Sequence, residues 1–412
     1  MLSRVTKIEV KDTLLIKGPA TLKLQDGEVE AIGMRLTYEE PMIVRRNKIV
    51  PLEPITKPAY IIATFGPNGE IVRKQGKCGT KIWIKAAELL SANTPHIRKI
   101  LVIGASDSGK STFTTYLTNL AITKGYKVGI VDADIGQSDL APPGCVSGAI
   151  LCKQLIDLRD VKGDVIKFVG STSPMGLEDI VIEAVKDVTK QVEAIHPTLI
   201  IVNTDGYIDG EGVRYKLRLI EALSPDQIVY IASEPRSQLK ERLVNTLSEE
   251  KVLTLEGVEG IIKSPSERME RRMSQFYRFL KNGRVQRCNL KDCKVFLLNR
   301  QYTLGSAAFG DIGQLEISDI ADNTILVSES KLLLPRLALE GMFVGLGANG
   351  VKGFGCILSH KGSDSLNVWT PLQTFNTLYL SFIKLNNRIS RDERLPFRYL
   401  NTYTPHLAKD DA

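Results

Sequence analysis

No Cys-x-x-Cys pair occurs in this chain, and its six cysteines (Cys78, Cys145, Cys152, Cys288, Cys293 and Cys356) lie scattered over 412 residues. Only four histidines accompany them, none near a cysteine at zinc-ligand spacing, which excludes the common structural zinc frameworks. Cys288 and Cys293 come nearest to a metal pair, and inert thiols are the expected reading there. No apolar run approaches the roughly 20 residues that a membrane helix needs, so no membrane partner is expected. The opening residues, Met1 to Val10, lack the apolar stretch of a secretory signal, and a cytoplasmic location is the expectation. A guanine-reading Asn-Lys-x-Asp is missing too. Asn203-Thr-Asp-Gly is the nearest piece and has no lysine, which argues against a switch-type GTPase.

What is present is an excess of basic residues, a formal +7, and most of it sits in one place. Between Lys263 and Arg287 eight basic residues (Lys263, Arg268, Arg271, Arg272, Arg278, Lys281, Arg284, Arg287) face only Glu267 and Glu270. Such clustering suits a phosphate-rich ligand.

Patterning divides the chain into three. Residues 1–95 alternate in short runs such as Thr13-Leu-Leu-Ile-Lys and Ala20-Thr-Leu-Lys-Leu. Turn signals at Gly18-Pro, Asp26-Gly and Gly66-Pro-Asn-Gly separate them, predicting a β-rich sandwich or barrel. Ala86-Ala-Glu-Leu-Leu reads as a short connecting helix. Residues 96–287 alternate apolar strands with helical patterns. The strands are expected at Ile100–Ile103, Val128–Val131, Val165–Val169, Leu199–Val202 and Ile228–Ile231. Phe113, Tyr116, Leu117, Leu120 and Ala121 recur at helical spacing, with Gly125 placed to cap them. Leu177, Val181, Ala184, Val185, Val188, Val192 and Ile195 do the same. This alternation predicts an α/β domain whose parallel sheet is covered by helices. Residues 288–412 return to glycine-rich strand runs, ending in a loose tail at Leu407–Ala412.

The strongest motif is Gly104-Ala-Ser-Asp-Ser-Gly-Lys-Ser, a complete G-x-x-x-x-G-K-[ST] between an expected strand and helix. Its glycines let backbone N–H groups face phosphate oxygens, and the helix N-terminus adds partial positive charge. Gly104, Ser106, Asp107, Ser108, Gly109, Lys110, Ser111 and Thr112 are therefore the expected nucleotide-binding residues. Lys110 would reach the β- and γ-phosphates, and Ser111 would ligate Mg²⁺. A chance glycine turn is the bland alternative. At the end of the next strand Asp132 and Asp134 stand two residues apart, where open α/β sheets bind ligands. One can orient Mg²⁺, a role given to Asp132, and the other can take a proton from an attacking hydroxyl. A strand-end carboxylate that merely caps a loop is the alternative. In the basic segment Arg268, Arg271 and Arg272 fall at i, i+3 and i+4. They can form an arginine lid that stabilises developing phosphoryl charge, or simply a solvated basic helix.

Together these residues resemble the polynucleotide 5′-hydroxyl kinases related to the kinase subunit of pre-mRNA cleavage and tRNA-splicing complexes and to the nucleolar pre-rRNA kinase. In length the chain is most similar to the archaeal members. The resemblance covers nearly the whole chain. It rests on Gly18-Pro-Ala-Thr-Leu-Lys-Leu, the acidic Asp107 before Ser-Gly-Lys, the Asp134-Ile-Gly-Gln137 segment, Gly170-Ser-Thr-Ser-Pro174 and Asn203-Thr-Asp-Gly-Tyr207. It implies phosphoryl transfer from ATP, with GTP as an alternative donor, to 5′-hydroxyl ends of RNA or DNA. It implies Asp134 as general base, Lys110 as triphosphate sensor, Ser111 on Mg²⁺, and lid arginines Arg268, Arg271 and Arg272. It also implies acceptor contacts from Gln137, Thr172, Ser173, Pro174, Thr204 and Tyr207, and leaves protein partners unspecified. The family usually has tryptophan where Tyr207 stands; tyrosine still stacks on a base, over less area. The alternatives are a non-catalytic ATP-binding scaffold, an ATPase switch and a small-molecule kinase.

Overall fold

The computed structural model describes residues 2–76, 88–89, 98–232, 237–257, 263–302, 325–327, 332–334, 336–348, 350–361, 365–386 and 391–399. Cys78 and the expected tail at Leu407–Ala412 lie outside them; of the expected connecting helix only Glu88 and Leu89 are described, and both are helical. The chain divides into two compact units, Met1–Ile166 with Pro174–Arg271, and Lys167–Ser173 with Arg272–Ala412. Among the described residues no helix is long and apolar enough to cross a membrane.

The first unit opens with two antiparallel sheets. One orders its strands Leu2–Ile8, Ala59–Phe65, Ala20–Asp26, Met42–Val44; the other orders Met34–Arg35, Val29–Ala31, Ile49–Pro54, Asp12–Lys17, Glu70–Gln75. Alternation explains both, since every second side chain of a strand faces the same way. Leu14, Ile16, Leu22, Leu24, Val50, Leu52, Ile61 and Ala63 are all buried in one core. That core continues into the next sheet through Phe113, Tyr116 and Leu117.

The next sheet has seven strands. In order these are Val165–Phe168, Cys145–Leu151, Val128–Ala133, Leu199–Thr204, Lys99–Gly104, Gln227–Ala232 and Val252–Glu256. The last five pair in parallel, and all five expected strands are among the seven. Two were not expected: Val252–Glu256 at the edge, and Cys145–Leu151, which runs antiparallel to Val128–Ala133. The helix Lys110–Thr123 follows the strand Lys99–Gly104, and Gly125 closes it with a positive φ of 82°. The helix Glu178–Glu193 buries Val181, Ala184, Val185, Val188 and Val192 as its spacing predicts. Ile195 lies beyond its end and is exposed.

One side chain ties the two halves of this unit together. Asn119, fully buried on the P-loop helix, donates to the Ile32 carbonyl (2.7 Å) and the Leu155 carbonyl (2.8 Å), and accepts from Leu155 N–H at 2.9 Å. Each polar atom of the amide thus finds backbone that would be costly to bury unpaired.

The second unit is built on a seven-stranded sheet. Its order is Arg284–Asn289, Ser365–Thr370, Val351–Lys361, Phe343–Gly347, Thr377–Tyr379, Lys294–Leu297 and Arg300–Tyr302. Phe168, Phe276, Phe343 and Phe354 pack as an aromatic cluster on it. The helix Pro265–Leu280 carries the basic segment, and the boundary between the units falls inside it, after Arg271.

Candidate active site

The P-loop wraps because two of its residues take left-handed backbone: Asp107 at φ 61° and Gly109 at φ 98°. Such alternation turns successive N–H groups toward one concavity, an anion nest. Lys110 opens the helix and is almost fully buried, its Nζ donating to the Ala105 carbonyl at 2.6 Å. The Ser108 hydroxyl is buried without a hydrogen-bond partner. Thr112 sits in the first turn of the same helix, partly buried. Gly206 crosses the loop so closely that a Cβ there would stand 2.3 Å from Ser106 Oγ, so only glycine fits.

Parallel register sets the second part of the site. Asp132 on the Val128–Ala133 strand lies opposite Asn203 on the Leu199–Thr204 strand. Asn203 Nδ2 is 3.3 Å from Asp132 Oδ1 and 3.5 Å from Ser111 Oγ, so it bridges the two expected metal-side residues. Asp132 also accepts from Asp139 N–H at 2.6 Å and from the Ser138 hydroxyl at 3.2 Å. Asp134 presents Oδ1 to the N–H groups of Gly136 (3.1 Å) and Gln137 (2.9 Å). Gln137 donates to the Arg268 carbonyl at 3.4 Å, and its own amide oxygen is buried without a partner.

The lid reaches the same loops. Arg268 Nη2 lies 2.6 Å from Asp107 Oδ2, which also accepts from Lys263 N–H at 3.3 Å. Arg271 is buried and pairs with buried Asp139, whose N–H bonds Asp132. Arg272 belongs to the second unit and pairs with Asp392 there, at 2.7 and 3.0 Å. The three arginines therefore hold three different carboxylates, and the structure brings Arg268 and Arg271 to the P-loop and the Asp132–Asp139 turn.

Burial and close charges shift the acids and the lysine of this site. Asp132 is pushed up to about 7 by burial and by the neighbouring Asp139 and Asp134 carboxylates. Asp134 is raised by burial and by Asp205, with Lys110 opposing. Burial and Lys216 bring Lys110 down to about 8, against the pull of Asp134. Opposite charges are thus crowded in low dielectric around a concavity of phosphate-binding shape. Among the described residues no three His, Cys, Asp or Glu side chains gather closely enough to hold a metal alone. A cation here would take Ser111 and Asp132 on one side and phosphate or water oxygens on the other.

Thr204 is fully buried, and its hydroxyl donates to the Val102 carbonyl at 2.9 Å. In this position it ties two neighbouring strands together. Tyr207 is partly exposed, with its N–H on Asp205 Oδ1 at 2.8 Å. Thr172 and Ser173 belong to the second unit, where Ser171 bonds both the N–H and the carbonyl of Ser173; Pro174 belongs to the first and accepts from Leu177 N–H. Asn203, Asp139 and Lys263 were not among the expected site residues. Lys263 carried the signal of the basic segment and Asn203 that of a polar residue late in an otherwise apolar strand, whereas Asp139 carried none.

A family model described as "mRNA cleavage and polyadenylation factor CLP1 P-loop" matches residues 104–282. The polyribonucleotide 5′-hydroxyl-kinase of Pyrococcus furiosus is 32% identical over 317 residues, covering 69% of this chain and 85% of that protein. The chain belongs to this CLP1-type kinase family. A second family member, the polyribonucleotide 5′-hydroxyl-kinase of Methanocaldococcus jannaschii, is 34% identical over 195 residues, 47% of this chain and only 53% of that protein. Among solved structures, Clp1p bound to a Pcf11p fragment shares the CLP1-type fold at a TM-score of 0.70 and 14% identity, covering 93% of this chain and 98% of that one.

Proposed function

We propose that this chain transfers the γ-phosphate of ATP to the 5′-hydroxyl end of RNA. The reading is carried by Asp134. One of its oxygens is fixed by two N–H groups at the mouth of the P-loop, beside Lys110 and the lid. The other oxygen has no protein hydrogen bond among the described residues, so it can take a proton. In the step proposed, Asp134 accepts the proton of the acceptor hydroxyl as its oxygen bonds the γ-phosphorus. The bond from that phosphorus to the β–γ bridging oxygen breaks, and ADP leaves. Lys110 and Arg268 neutralise the charge that spreads over the phosphoryl oxygens. Mg²⁺ suits the all-oxygen set of Ser111, Asp132 and phosphate, and when bound would supply further neutralisation. Relatives named for polyribonucleotides support RNA as the acceptor class. A Clp1p structure described by the loss of ATP in a glycine-to-arginine mutant supports ATP as the donor.

The test offers γ-labelled ATP and Mg²⁺ to a short 5′-hydroxyl RNA, the matching DNA and a 5′-phosphorylated RNA. Label should appear on the 5′-hydroxyl RNA, be absent from the phosphorylated one, and vanish in Lys110→Ala. ATP binding with no label on any oligomer would replace the kinase by a scaffold.

A further inference from the structure

Asp205 gathers two hydrogen-bond donors and one buried ammonium. Its Oδ1 accepts from Tyr207 N–H at 2.8 Å and lies 3.0 Å from Lys216 Nζ, while Oδ2 accepts from the Tyr215 hydroxyl at 3.0 Å. Lys216 has no exposed surface. Its ammonium stands 4.6 Å from the centre of the Tyr215 ring, and that ring lies 6.2 Å from the ring of Tyr207, inclined by 30°. Tyr215 and Lys216 both come from the helix Glu211–Leu223, directly behind the loop. Tyr207 is therefore held twice, through its backbone by Asp205 and through its ring by Tyr215.

A lysine so deep is costly. Burial pushes its pKa down, with Asp205 and Asp134 opposing. Buried ion pairs are often replaceable by apolar side chains without loss of stability, so stability alone does not account for this one. Direction does. The loop has no slack on its other side, where Gly206 abuts Ser106 and the Thr204 hydroxyl bonds Val102. A carboxylate held by two donors and an ammonium fixes the course of the loop, and the next side chain along it is that of Tyr207.

We propose that Asp205, Lys216 and Tyr215 form a buried brace that presents Tyr207 to the terminal nucleotide of the acceptor, which makes Lys216 a positioning residue for the acceptor and not for ATP. The inference rests on the kinase reading above. Asp205 and Lys216 cancel in charge, so replacing both separates geometry from long-range electrostatics.

The experiment measures KM for a 5′-hydroxyl RNA and for ATP, with the melting temperature, in wild type, Tyr215→Phe, Lys216→Met, Tyr207→Ala and the double variant Asp205→Asn/Lys216→Met. Acceptor KM should rise about tenfold in Lys216→Met, the scale of one lost base–aromatic stack. It should stay raised in the double variant while the melting temperature recovers. The rise in Tyr215→Phe should be smaller, and ATP KM should not rise. Adding Lys216→Met to Tyr207→Ala should raise acceptor KM no further. If the double variant regains both stability and acceptor KM, the pair is only structural and the proposal falls. A rise confined to ATP KM overturns it too, by giving Lys216 to the triphosphate. Unchanged acceptor KM in an active Lys216→Met removes the brace but leaves the kinase standing. A wild type that labels no RNA removes both. If Lys216→Met does not fold, Tyr215→Phe and the double variant decide alone.

Discussion

Asp134 and the two lid arginines divide their work by burial. Asp134→Asn keeps the shape and the two N–H bonds but cannot take a proton. It should lower kcat by about 10²–10⁴ while ATP KM and melting temperature hold. Full turnover in that variant would remove Asp134 as the base. Arg271 and Asp139 are both buried, so Arg271→Ala strands a carboxylate and should cost roughly 3–5 kcal/mol of stability, read as a lowered denaturant midpoint. Arg268 is more exposed, and exposed pairs contribute little to folding. Arg268→Ala should therefore fold normally yet lose turnover on the order of a thousandfold, the scale of a lost phosphoryl-stabilising arginine. The reverse pattern, Arg271 silent in stability and Arg268 destabilising, would contradict this division.

Among the elements, the short turn Leu158–Asp160 shows how the N-terminal sheets are attached. Arg159 grips Asp157, both buried, and reaches the Arg46 carbonyl, while Arg45 Nε bonds Asp160 at 2.8 Å. Burial alone would raise Asp157, but Lys48 and Arg159 outweigh it and hold its carboxyl well below the usual range. Its stabilising share is thus fully present above the unfolded carboxylate pKa of about 4 and is lost as pH falls toward the folded value. Asp157→Asn should lower the melting temperature at neutral pH and flatten its decline in acid; parallel curves for variant and wild type would refute the sign. Such pairings mark the limit of what could be read beforehand. The P-loop and the Asp132–Asp134 strand end were legible because their chemistry lies within a few consecutive residues. The apolar strands at Ile100, Val128, Leu199 and Ile228 were legible because burial on both faces makes continuous runs. The antiparallel strand Cys145–Leu151 escaped because its small residues and Gly148 look like a loop. Asp139 with Arg271 and Asn119 with Ile32 escaped because their partners are far apart in the chain. The arginine spacing suggested one face acting together, whereas the fold sends Arg272 to Asp392.

For the whole molecule, the +7 charge matters less than its concentration between Lys263 and Arg287. Arg268 and Arg271 are engaged by carboxylates, but Lys281, Arg284 and Arg287 are exposed. If these three track the RNA backbone, acceptor affinity should fall with salt, with a log–log slope near −0.7 for each phosphate neutralised. Reversing the three to glutamate should flatten that slope in anisotropy titrations and leave ATP binding as it was. An unchanged slope would make the segment a solvated face.

The amide of Asn119 limits how the protein can be dissected. A P-loop core cut free of its first hundred residues would lose the Ile32 carbonyl and the sheets beneath Phe113, Tyr116 and Leu117. The cut would lay bare an oily scar around an amide left with only its Leu155 bonds. Such a fragment should clump on expression, while a form that keeps the N-terminal sheets should stay in solution.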